Sequence, residues 1–133
     1  MQKDTTHKSE KQVFSIVKRA KSFSYAMNGI RLFLKTTHNS WVQIVLALIA
    51  IILGIYFHIE TTEWLFIVLA IGFVLTAEAF NTAFEFDMDL TSPKMHPYAK
   101  YTKDVAAGAV LLASITSAII GLIIFIPKIF FSS

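Results

Sequence analysis

Glu78, Asn81, Glu85 and Asp89 interrupt an apolar run that opens at Trp64. At about 100° per residue, steps of three, four and four keep them within one stripe of a helix, and Asp87 points the other way. An ionised side chain near a bilayer centre costs at least about 2.5–3.5 kcal/mol, so such a stripe needs a partner, a cation or water. The cation this oxygen-rich stripe suits is magnesium. A basic stretch carrying Lys94, His96, Lys100, Lys103 and Asp104 follows at the same end. Phosphoryl transfer needs magnesium bridging phosphate oxygens, cations over the phosphates and a base for the attacking hydroxyl. Glu85 with oxygen neighbours can hold the metal, Lys103 can hold phosphate, and Glu78 can serve as base. The same glutamates and asparagine would also serve, with no chemistry at all, as polar glue between helices. His96 alone would be an ordinary loop histidine and gains weight only from its company.

Such a stripe has to be carried by membrane helices, and the composition supplies them. Of 133 residues, 55% are hydrophobic, which no water-soluble core of this size requires. The run Trp41–Phe57 is apolar except for Gln43 and is just long enough to span, with Trp41 and Tyr56 near its ends as interfacial aromatics. A second run carries the stripe, and a third extends from Val105 to Ile126. Before them, Val13, Val17, Ala20, Met27, Ile30 and Leu34 recur at helical spacing, which predicts an amphipathic helix on the membrane surface, bent near Gly29. The fold expected is therefore all-α: an interfacial helix over about 11–36 and transmembrane helices over about 41–58, 63–88 and 104–126. Residues 1–10 form a frayed polar tail and residues 11–133 a single domain.

Eight of the twelve Lys and Arg fall within residues 1–40, a block suited to an anionic membrane surface rather than to nucleic acid. The loop after the first span carries only acids, whereas the loop after the second carries Lys94, Lys100 and Lys103. The positive-inside rule then places the N-terminus in the cytoplasm and the C-terminus outside. The first 30 residues lack the apolar core of a signal peptide. Absence of cysteine excludes disulfides, thiolate metal sites and cysteine nucleophiles. The five glycines, Gly29, Gly54, Gly72, Gly108 and Gly121, are too scattered for either common glycine-rich phosphate loop, so a nucleotide site here is built differently.

The motif Glu78-Ala79-Phe80-Asn81-Thr82-Ala83-Phe84-Glu85, followed by Asp89 and by Ala99-Lys100-Tyr101-Thr102-Lys103-Asp104, resembles that of the bacterial diacylglycerol kinase family. These are small integral-membrane lipid kinases that include undecaprenol kinase, and the resemblance runs from about Arg19 to Lys128. It implies a homotrimer in the bacterial cytoplasmic (inner) membrane with sites shared between neighbouring subunits, magnesium as cofactor, and ATP and a membrane lipid alcohol as partners. By the same resemblance Glu78 is the general base and Glu85 a magnesium and ATP ligand. Tyr25, Asn81, His96, Lys103 and Asp104 complete the ATP-binding set, and Lys18, Ser22 and Arg31 join Glu78 in binding lipid. Tyr25 and Gly29 match a surface helix covering the site. One position departs: a glutamate that usually precedes the first membrane helix, contributing to metal binding, is Thr37 here, and a neutral hydroxyl cannot replace that charge. Lys103-Asp104-Val105-Ala106-Ala107-Gly108-Ala109-Val110 and Ile124-Phe125-Ile126-Pro127-Lys128 look more like the undecaprenol branch than the diacylglycerol branch. The reading from a different class is a non-enzymatic membrane protein, a channel or assembly subunit whose acidic stripe conducts or glues.

Overall fold

The computed structural model describes residues 2–94 and 96–131, with side chains from Ser15 onward. It is all helical: α1 (Gln2–Thr36), α2 (His38–Tyr56), α3 (Thr61–Thr91) and α4 (Pro97–Phe131). The chain divides into two compact units, Met1–Thr36 and Thr37–Ser133. In the first, α1 is continuous through Gly29 and starts at Gln2 rather than near Lys11. No proline or glycine precedes Gly29, so nothing in residues 2–10 stops the helix even though they carry no apolar pattern. Met1 of the expected polar tail, and the side chain of Val13 on the expected apolar face, lie outside the described residues.

The second unit contains three helices long and apolar enough to cross a membrane, namely α2, α3 and α4. At about 1.5 Å per residue α2 is about 28 Å long and matches a hydrocarbon core of about 30 Å. α3 and α4, with 31 and 35 residues, are too long for that core and extend beyond the apolar runs. Their polar ends remain helical because residues 85–91 and 97–103 contain no glycine and no interior proline. α3 stops where Ser92-Pro93 follows, since the residue before proline is driven out of the helical region. α4 opens with Pro97 at its first position, and the Tyr98 N–H is capped by His96 Nδ1 at 3.2 Å.

α3 is the central element, packed extensively on α4 and more sparsely on α2. Ala70, Val74, Ala106 and Ala113 are buried in the unit, and small side chains of this kind allow membrane helices to approach closely. Ser117 Oγ adds a hydrogen bond to the Ala70 carbonyl at 3.1 Å. The apolar core lies at the end of the unit remote from the acidic stripe, where Ile59, Ile67, Ile124 and Phe125 cluster. There α2 ends in a Schellman turn: His58 adopts φ 52°, its N–H donates to the Ile55 carbonyl, and the Ile59 N–H donates to the Gly54 carbonyl. Gly54 is buried because the ring of Trp64 and the end of Ile59 occupy the space a Cβ would need, at 2.7 and 3.0 Å.

Candidate active site

The polar end of the second unit is built on the last four turns of α3. Glu78 lies 17 positions after Thr61, about 25 Å along the axis, and Glu85 lies about 36 Å along it. If α3 enters the hydrocarbon at Thr61, Glu78 is still within a core of about 30 Å and Glu85 has left it. Burial follows that division. Glu78 is only 2% exposed and Thr82 is buried, whereas Glu85 and Asp89 are exposed. Asn81 links the levels by donating from Nδ2 to Glu85 Oε1 at 3.3 Å.

Glu78 Oε1 and Asn81 Oδ1 are buried and, among the described residues, make no hydrogen bond. Two orphaned acceptors side by side are costly in a structural site, where buried polar atoms are paired as a rule. Both residues line a groove of about 280 Å³ that also takes in Asn39 and Gln43 of α2 and Ala107 and Ser114 of α4. An apolar cavity of about 350 Å³, lined by Leu46, Ala50, Ile67 and Val74 among others, shares Gln43 and Ser114 with this groove. The groove lined by the buried Glu78 thus borders the apolar cavity at Gln43 and Ser114.

The basic residues divide into two ion pairs. Lys103 Nζ reaches across from α4 to Asp89 Oδ1 at 2.7 Å, and Lys100 Nζ pairs with Asp104 Oδ2 at 2.6 Å within one turn. Lys103 and Asp89 are therefore brought together with the stripe, while Asp104 turns along its own helix. His96 has its Nδ1 engaged as the cap of α4, and its ring stacks on Tyr98 at 5.7 Å. In the first unit, Lys18, Ser22 and Tyr25 share a stripe of α1, and Arg31 lies about 140° around the helix from Lys18. The Ser22 hydroxyl donates to the Lys18 carbonyl at 3.0 Å.

Besides Thr37, which stands where the resemblance expects a glutamate, Ser40 and Gln43 at this end carry no sequence motif of their own. Thr37 Oγ1 lies 2.9 Å from Thr82 Oγ1, and the fully buried Ser40 donates from Oγ to the Thr37 carbonyl at 2.6 Å. Gln43, which lines the groove, is marked in sequence as the only polar residue within its apolar run.

The profile of the family described as prokaryotic diacylglycerol kinase matches residues 24–125, which span all three apolar helices and both charged clusters. Fold and match together define a small integral-membrane lipid kinase. The chain belongs to the prokaryotic diacylglycerol kinase family. It is similar to the undecaprenol kinase of Bacillus subtilis (strain 168), 41% identical over 109 residues that cover 82% of this chain and 89% of the relative. It is also similar to the diacylglycerol kinase of Synechocystis sp. (strain ATCC 27184 / PCC 6803 / Kazusa), 34% identical over 81% of this chain and 62% of the relative. A diacylglycerol kinase of Helicobacter pylori (strain ATCC 700392 / 26695) is 27% identical over 77% of this chain and 85% of the relative. No solved structure matches the chain.

Proposed function

We propose that the protein transfers the γ-phosphoryl group of ATP to the hydroxyl of a membrane lipid alcohol, undecaprenol in preference to diacylglycerol. The observation that carries this reading is the buried Glu78 carboxylate, with Oε1 unpaired, lining a groove that borders an apolar cavity. A lipid hydroxyl in that groove would give its proton to Glu78. Its oxygen would then bond to the γ-phosphorus as the bond to the bridging oxygen breaks and ADP leaves. Undecaprenol is favoured by the relative named as its kinase and by the small apolar residues Ala77, Ala79, Ala106, Ala107 and Gly108 near the site, which suit a slim prenyl chain.

Magnesium is the expected cofactor. The donors are all oxygens, Asn81 Oδ1 is orphaned beside Glu85, and among the described residues no three His, Asp or Glu form a closed cage. That set fits a cation that takes one or two carboxylates and completes its shell with water and substrate phosphates. Glu85 would hold it, with Asn81 alongside, and when bound it would neutralise charge developing on the phosphates. Lys103 lies on the same side through its pair with Asp89 and is assigned to the phosphates. Asp104, His96 and Tyr25 are assigned to the nucleotide, and Lys18, Ser22 and Arg31 to the lipid, on the family resemblance.

Residues 11–133 act as one domain in this reading, with the N-terminus in the cytoplasm, and the working form is a homotrimer. Three helices bury Glu78 but leave Glu85, Asp89 and much of their apolar surface uncovered, so neighbouring subunits complete the site. The test is incorporation of labelled γ-phosphate by the purified protein, with undecaprenol and diacylglycerol presented separately in the same bilayer. Higher kcat/KM on undecaprenol is expected. Equal or reversed efficiencies remove the undecaprenol assignment, and no transfer to either removes the kinase reading.

A further inference from the structure

Thr37 occupies the N-cap of α2, with φ −106° and ψ 106°, where a threonine hydroxyl ordinarily accepts a hydrogen bond from the second or third backbone N–H of the helix. It makes no such bond. Its Oγ1 is turned to Thr82 Oγ1, 45 positions away in sequence and 2.9 Å away in space. The N–H and hydroxyl of buried Ser40 both donate to the Thr37 carbonyl, at 3.2 and 2.6 Å, so the backbone of Thr37 is held while its side chain reaches α3.

The partner's location gives this contact its significance. Thr82 is buried one turn after Glu78, three residues before Glu85 and next to Asn81. Asn39, two residues after Thr37, lines the groove with Glu78 and Asn81. Among the described residues, no other hydrogen bond between side chains joins α2 to α3. We propose that the Thr37–Thr82 hydroxyl pair is a positioning device for phosphoryl transfer, tying the start of α2 to the α3 turn between Glu78 and Glu85 and so fixing Asn39 and Glu78 as walls of one groove. The position where a carboxylate was expected thus serves to orient the site without carrying charge. This rests on the kinase reading above, because orientation is worth something only if a reaction occurs in the groove.

The experiment uses valine, which removes the hydroxyl and keeps the branched shape, and serine, which keeps the hydroxyl. In the full-length protein in bilayers, Thr37→Val and Thr82→Val are each expected to lower kcat about 10- to 100-fold, as small misplacements of reacting groups do, with the KM for ATP unchanged. The double valine variant should be no worse than either single one, and Thr37→Ser should recover most of the loss. A fall in unfolding temperature with unchanged kcat would reduce the pair to helix glue and overturn the proposal. A raised half-saturating magnesium concentration, with kcat restored at saturation, would make Thr37 a ligand and overturn it also. Amide hydrogen exchange tests the clasp without reference to activity. Exchange at residues 39–43 should quicken in Thr82→Val, though the substitution lies on another helix, and unchanged exchange would refute the clasp even if the parent protein were shown to be no kinase.

Discussion

The two ends of the α3–α4 pair are built on opposite terms. At one end Gly54, Ile59, Trp64, Ile67, Ile124 and Phe125 close a packed apolar cluster, the turn out of α2 satisfies its own backbone groups, and Glu63 pairs with Lys128. At the other, Glu78 Oε1 and Asn81 Oδ1 are buried without partners, and a groove opens between the helices. A membrane protein this small gains little from the hydrophobic effect between helices, so the side-chain contacts at the first end, where Ile67 and Phe125 also wall the apolar cavity, have to hold the helices while the second leaves polar atoms unpaired. Stability and chemistry are separated along one axis.

If that separation is real, substitutions at the polar end should change turnover and spare folding. Glu78→Gln should lower kcat by about 10²–10⁴-fold, the usual worth of a general base. Its unfolding temperature should hold or rise, since a buried amide costs less than a buried carboxylate. Lys103→Gln should come next, raising the KM for ATP about 10- to 100-fold if a charge-assisted bond to phosphate is lost. The Asp89 pair it also breaks is exposed and contributes little to stability. At the packed end the expectation reverses. Gly54→Ala drives a Cβ into Trp64 and Ile59 and should destabilise the protein by about 1–3 kcal/mol, read as a lower unfolding temperature, with kcat per folded protein unchanged. Loss of turnover in the Gly54 variant, or of folding in the Glu78 variant, would show the two ends to be coupled.

The polar end was more legible in sequence than the packed end, for a physical reason. Carboxylates inside an apolar run stand out whatever the tertiary structure, and the three-four spacing of Glu78, Asn81 and Glu85 needs only helical geometry to become a stripe. Apolar content alone gives bounds for α3 and α4 that are too short, because a helix need not end where its side chains turn polar. The Schellman turn after Tyr56 is invisible to a rule that looks for glycine, since His58 takes the left-handed position. The clasp of Thr37 to Thr82 joins residues 45 apart, and nothing local in either sequence announces it. As a loop histidine, His96 suggests chemistry alone. The adjacent Pro97 was a sign that it also caps a helix, and the capping bond leaves Nε2 as the ring nitrogen for any ligand.

The smallest effect expected is also the most direct check on the separation. Lys128 Nζ lies 2.9 Å from Glu63 Oε1, with about a quarter of each side chain exposed at 26% and 25%. The other oxygen of Glu63 accepts the Glu60 N–H at 2.9 Å, so this carboxylate helps to cap α3 whether or not Lys128 is present. Removing the ammonium in Lys128→Met therefore leaves a charge that still has a donor and still reaches solvent, unlike a carboxylate stranded in an apolar core. The loss should be about 0.2–1 kcal/mol, the usual range for partly solvated pairs, and should shrink as salt rises toward 1 M, where the screening length falls to about 3 Å. Because the pair is at the packed end, kcat and the KM for ATP should stay within about twofold of the parent. A loss of turnover in Lys128→Met, with the unfolding temperature unchanged, would mean that the relative setting of α3 and α4 is transmitted along the full pair, and the division into a stabilising and a reacting end would fail.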